Sequence, residues 1–146
     1  MPHPLDSIPQ RAVDPGRFPL ILVVDDDEPM RILLRDVLEN IGYQVIEVGN
    51  GQDGLEVCKR VYPDLIVLDC MMPVMDGLTF CQELRTTLGA ASVPVLMITG
   101  LTDLEIIDRA FAVGITDYIV KPVSISIIRQ KVHQLLQSHN AQTEPS

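Results

Sequence analysis

The side chains with chemical potential in this chain fall at the ends of apolar runs. Asp25-Asp26-Asp27-Glu28 follows Leu20–Val24, Asp69 follows Leu65-Ile66-Val67-Leu68, Thr99 follows Val93–Ile98, and Lys121 follows Asp117–Val120. Each alone is commonplace; an acidic run after a strand is ordinarily a solvated turn whose carboxylates favour the next helix dipole. Together Asp25, Asp26 and Asp69 offer three carboxylates, beside the hydroxyl of Thr99 and the ammonium of Lys121. Crowded carboxylates repel one another and accept a divalent cation, and oxygen ligands without clustered His or Cys select a hard ion such as Mg²⁺. A carboxylate beside such an ion can attack phosphorus and become an acyl phosphate. The transferring group carries negative charge that a lysine and the cation offset, while a hydroxyl fixes one oxygen. Asp69, Asp25, Asp26, Thr99 and Lys121 supply those roles.

These residues act together only if the elements before them end at one rim. Leu20–Val24, Tyr43–Val48, Leu65–Leu68, Val93–Ile98 and Asp117–Val120 are short, β-branched and bounded by Gly, Pro, Asn or Asp. Their nearly unbroken apolar character fits strands covered on both faces. Helical periodicity alternates with them: Met30, Leu33, Leu34, Val37, Leu38 and Ile41 recur at three and four, starting at Pro29 and stopping at Gly42. Asn50–Tyr62, Gly77–Leu88, Thr102–Val113 and Ser124–Gln137 fill the remaining gaps. The order is (βα)5, an α/β doubly wound parallel sheet with helices on both faces. The crevice of such a sheet lies beyond the carboxyl ends of its strands, where the acids, Thr99 and Lys121 fall.

Four segments, Ile21–Asp27, Val67-Leu68-Asp69-Cys70-Met71-Met72-Pro73-Val74-Met75-Asp76-Gly77, Ile98-Thr99-Gly100 and Tyr118-Ile119-Val120-Lys121-Pro122, resemble the CheY-like receiver domain of two-component response regulators in order and spacing. The resemblance covers about residues 20–137 and implies the flavodoxin-like strand order 2-1-3-4-5. It implies that Asp69 is the phospho-acceptor, that Asp25 and Asp26 serve Mg²⁺ with Asp69 and the Met71 backbone carbonyl, and that Thr99 and Lys121 bind the phosphoryl group. Tyr118 stands at the family's aromatic switch position, and the bond before Pro122 is often cis in the family. The implied partners are a sensor histidine kinase or phosphotransfer protein and an output domain or downstream protein, with homodimer formation on phosphorylation. The Ser124–Gln137 segment also resembles receivers fused to outputs such as diguanylate cyclases. Gly100 and Met71 depart from residues frequent in relatives, at positions that tune phosphoryl lifetime.

Of 146 residues, 47% are hydrophobic, and 11 Lys+Arg oppose 20 Asp+Glu for a net charge of −9. That balance argues against direct binding to nucleic acid or an anionic membrane. No apolar run reaches membrane-spanning length and no signal sequence opens the chain, so a cytoplasmic location is expected. Residues 1–19 hold five of the 11 prolines and read as a disordered leader; 20–137 reads as the folded domain, and 138–146 as a flexible tail or the start of a linker.

The alternatives each lack a part. Leu65–Asp69 looks like a Walker B strand, but no Gly-x-x-x-x-Gly-Lys-[Ser/Thr] accompanies it. No Gly-x-Gly-x-x-Gly follows the first strand, which removes a dinucleotide fold. A haloacid-dehalogenase-type phosphatase wants its nucleophile on the first strand, late acids and a cap domain. A degenerate receiver serving only as a binding module would lack Asp69 or Lys121. The three cysteines show no metal spacing; Cys58 and Cys81 read as small hydrophobes, and neighbouring carboxylates disfavour a reactive thiolate at Cys70. No catalytic histidine is visible, so the phosphodonor imidazole comes from another protein. The chain then catalyses its own phosphorylation and dephosphorylation and turns over no metabolite.

Overall fold

The computed structural model describes residues 18–72, 75–87, 93–100, 102 and 104–143. Five strands, β1 (Leu20–Val24), β2 (Gln44–Val48), β3 (Leu65–Asp69), β4 (Val95–Thr99) and β5 (Asp117–Val120), alternate with five helices. The helices are α1 (Glu28–Ile41), α2 (Gly51–Arg60), α3 (Gly77–Thr87), α4 (Leu104–Val113) and α5 (Ile125–Thr143). The sheet is parallel in the order β2-β1-β3-β4-β5. This is the flavodoxin-like arrangement, with its switch point between β1 and β3.

Every residue of β1, β3 and β4 is buried, whereas edge strands β2 and β5 are only partly so. Alternate residues feed two cores. On one face Leu22, Val24, Ile66, Leu68, Val95 and Met97 meet Val57 of α2, Phe80, Cys81 and Leu84 of α3, and Ala110 of α4. On the other, Ile21, Val23, Val67, Leu96 and Ile98 meet Leu34, Val37 and Leu38 of α1 and Ile128, Val132 and Leu135 of α5. The helices therefore divide three and two.

Several boundaries differ from the periodicity, each for a local reason. Tyr43 lies outside β2 because its N–H donates to the Leu38 carbonyl, closing α1 around left-handed Gly42. Glu28 rather than Pro29 begins α1, since Asp27 caps it with its side chain on the Met30 N–H. Asn50 likewise caps α2 instead of joining it. That helix stops at Arg60 because Pro63 disfavours helical backbone at Tyr62. Val93 and Pro94 precede β4, proline having no N–H for the ladder. The polar segment from Ser138 continues α5 to Thr143, with no breaker before Pro145. Residues 1–17 of the expected leader, Leu88 at the expected end of α3, and 144–146 lie outside the described residues. No helix among the described residues is long and apolar enough to cross a membrane.

Candidate functional site

The acidic run after β1 splits into two tasks. Asp25 is buried (2% exposed) with its N–H on the Val48 carbonyl at 3.1 Å, so it extends the pairing of β1 with β2. Its Oδ1 accepts the Asp27 N–H at 2.9 Å, and Asp27 in turn caps α1. Asp26, between them, is exposed. Asp69 ends the central strand β3 and is 4% exposed, its Oδ1 accepting the Met71 N–H at 3.3 Å. The chain then turns tightly: the Gly77 N–H donates to the Cys70 carbonyl at 2.9 Å, and a Cβ on Gly77 would stand 2.6 Å from the Asp69 carbonyl oxygen. Asp76 caps α3 by accepting the Thr79 N–H at 2.8 Å.

Parallel strand order brings the distant residues together. Carboxylate oxygens of Asp25, Asp26 and Asp69 lie within 4.8 Å of one another. Lys121 Nζ reaches Asp69 Oδ1 at 3.6 Å, from a loop whose Lys121–Pro122 bond is cis. Thr99 is fully buried at the end of β4, and its carbonyl accepts the Lys121 N–H at 2.8 Å. Tyr118 is half-buried, packed against the α2–α3–α4 core and edge-on to Phe111 of α4 with centroids 6.0 Å apart. All the expected site residues thus fall at one rim, with Tyr118 just behind it.

The electrostatics record the crowding. Burial pushes Asp25 from 3.8 up to about 6, against the hydrogen bond from the Asp27 N–H; the Asp69 charge adds to the rise. Burial also raises Asp69, opposed first by Lys121 and then by the Met71 N–H. Two acids this close oppose each other's ionisation, so the pair holds protons more tightly than either carboxyl would alone. A rim of carboxylate oxygens with one ammonium fits a hard divalent cation better than a soft or redox metal. The thiols offer no alternative: burial raises Cys58 to about 12 and raises Cys70 and Cys81, leaving all three neutral.

Residue types at strand ends did not disclose Arg31 and Glu47. Arg31 Nη1 donates to the Asp25 carbonyl at 2.7 Å, and Glu47 of β2 holds that guanidinium. The available signal was Glu47 itself, a carboxylate flanked by Ile46 and Val48 in an apolar strand.

The comparisons agree with this geometry. The response regulator receiver domain family matches residues 21–133. The chain is 40% identical over 116 residues to a probable transcriptional regulator, ycf27, of Porphyridium aerugineum, covering 80% of this chain and 47% of that one. It is 38% identical to the DNA-binding dual master transcriptional regulator RpaA of a Synechocystis species, covering 82% and 49%. The chain therefore spans about half the length of the curated relatives it matches. Among solved structures, the chemotaxis protein CheY4 of Vibrio cholerae is similar with a TM-score of 0.77 at 29% identity, over 81% of this chain and 98% of that one. A CheY-like receiver protein of Methanospirillum hungatei gives 0.80 at 25% identity, over 86% and 98%. Five parallel strands in the order 2-1-3-4-5, an acid cluster facing a lysine at their carboxyl ends, and a family match across 21–133 make this chain a member of the response regulator receiver domains, which are signalling proteins of two-component systems rather than metabolic enzymes.

Proposed function

We propose that Asp69 is the phospho-acceptor of this receiver domain, taking a phosphoryl group from the phosphohistidine of a sensor kinase or phosphotransfer protein. The observation that carries the reading is a buried carboxylate at the end of β3, 3.6 Å from the Lys121 ammonium and clustered with Asp25 and Asp26. A carboxylate oxygen of Asp69 forms the bond to phosphorus as the phosphorus–nitrogen bond breaks, and the leaving imidazole takes up a proton. Asp25, Asp26, Asp69 and the Met71 backbone carbonyl are the groups that would hold Mg²⁺. When bound, the ion supplies positive charge toward the phosphoryl oxygens. Lys121 neutralises a further oxygen, and the Thr99 hydroxyl is the donor brought to bear on the product. Loss of the group is a separate step, in which water attacks phosphorus, the Asp69 oxygen–phosphorus bond breaks and inorganic phosphate leaves, so the chain acts only on itself.

Recruitment of Thr99 toward the phosphoryl group would free space for the Tyr118 ring to turn inward from its place against Phe111. That couples Asp69 to the surface of α4, β5 and α5, where Leu104, Phe111, Ile125 and Ile127 are exposed. This surface is the one offered to an output domain, a downstream protein or a second copy. The names of the curated relatives favour a transcriptional output over a cyclase, with the acidic receiver itself not touching DNA. The functional unit is 20–137, and 138–146 is a tail or the start of a linker. Three unpaired cysteines support a reducing, cytoplasmic setting. Incubation with acetyl phosphate and Mg²⁺ tests the assignment by intact mass: one phosphoryl group is added to the wild type and none to Asp69→Asn, and equal labelling of the variant refutes it.

A further inference from the structure

Asp25 is held at each of its polar ends. Its N–H donates to Val48, its Oδ1 accepts from the Asp27 N–H, and its carbonyl accepts from Arg31 Nη1 at 2.7 Å. The first two restraints come from backbone, while the third comes from a side chain on α1. The Arg31 guanidinium is itself restrained, with Nε donating to Glu47 Oε1 at 3.2 Å and its side chain only 17% exposed. Glu47 Oε2 takes Arg35 Nη1, one turn further along α1, at 2.8 Å. On its far side, a Cβ on Gly49 would stand 3.3 Å from Arg31 Nη1, so the backbone after β2 closes over the guanidinium.

Resting on the reading of Asp25 and Asp26 as the cation ligands, we propose that Arg31 is a positioning residue for that acid pair. Through the Asp25 carbonyl it sets the course of the loop that carries both carboxylates. Mg²⁺ tolerates little departure from octahedral geometry, so a ligand loop free to drift loses affinity even with every carboxylate present. The planar guanidinium suits the task because Nε holds Glu47 while Nη1 reaches the carbonyl. Partners of this supporting kind typically change metal affinity about 10- to 100-fold when removed.

Charge and position predict opposite signs, which makes the proposal testable. Removing a cation beside three carboxylates strengthens attraction for Mg²⁺, whereas releasing the Asp25 carbonyl weakens binding. Mg²⁺ titrations followed by amide chemical shifts, in the full chain without phosphodonor, separate the two and report folding in the same spectra. Wild type is expected to bind, and Asp26→Ala to lose that binding. Arg31→Met is expected to weaken affinity about tenfold, and Glu47→Ala, which frees the guanidinium, to weaken it in the same direction. Arg35→Met, which leaves the Arg31 bond to Asp25 in place, is expected to bind as wild type does. Asp26-dependent binding in the wild type, with Arg31→Met binding as tightly or more tightly, overturns the role of Arg31 alone. An equal loss in Arg35→Met also overturns it, because α1 would then be acting as a whole. Should Arg31→Met fail to fold, unchanged affinity in Glu47→Ala is the refuting result. A wild type without Asp26-dependent binding overturns this proposal and the metal-site reading together.

Discussion

Replacing Asp25 with asparagine stabilises the metal-free protein at pH 7.5. The buried carboxyl is pushed from 3.8 to about 6 in the folded chain, so the folded state holds its proton where the unfolded chain has released it. Below the unfolded value both states are protonated and the site costs nothing. As pH rises from about 4 to about 6 the unfolded state gains by ionising, and stability falls by up to about 1.36 kcal/mol per pH unit. The loss totals about 3 kcal/mol at most and persists at higher pH. Asparagine keeps an oxygen for the Asp27 N–H and carries no charge, so it removes that penalty. The gain at pH 7.5 corresponds to a rise in melting temperature of roughly 10 °C at the upper limit. Thermal melts of both proteins in EDTA across pH 4.5–8.5 should show the gap widening from the acid end and levelling above about pH 6. Saturating Mg²⁺ should narrow it by stabilising the wild type. A variant no more stable than wild type at pH 7.5, or a gap independent of pH, refutes the argument that Asp25 is destabilised by burial.

Asp26→Ala should abolish the Mg²⁺-dependent rise in melting temperature, and a rise of undiminished size would place the cation elsewhere. Gly77→Ala forces a methyl toward the Asp69 carbonyl, a backbone atom that cannot swing aside, and should cost about 1–3 kcal/mol in chemical denaturation; a loss below about 0.5 kcal/mol would show that the turn relaxes freely. Beryllofluoride with Mg²⁺ should move the amide signals of Ile106–Phe111 and Tyr118, and Thr99→Ala should weaken that response while leaving labelling of Asp69 intact. Shifts confined to the loops around Asp25, Asp69 and Lys121 would refute the coupling to α4 and β5.

Local chemistry was legible directly in the residues. Apolar β-branched runs marked the five strands, three- and four-residue spacing marked the first helix, and Gly42 marked its end, because each signal acts within one turn or one strand. The same locality put Asp25, Asp26, Asp69, Thr99 and Lys121 at strand ends. Tertiary structure decided what those ends amount to. Pairing of β1 with β3 brings the carboxylates within 4.8 Å, and pairing of β3 with β4 and of β4 with β5 brings Lys121 onto Asp69, across separations no local rule spans. It also set the strand edges: Tyr43 is apolar enough for β2, yet its N–H is taken by Leu38 of α1. Arg31 reads as a surface residue of an amphipathic helix until Glu47, Gly49 and the Asp25 carbonyl converge on it. The proton affinity of Asp25 was likewise beyond the sequence, because desolvation depends on which atoms from other strands exclude water from a carboxylate, and those neighbours exist only once the sheet has formed.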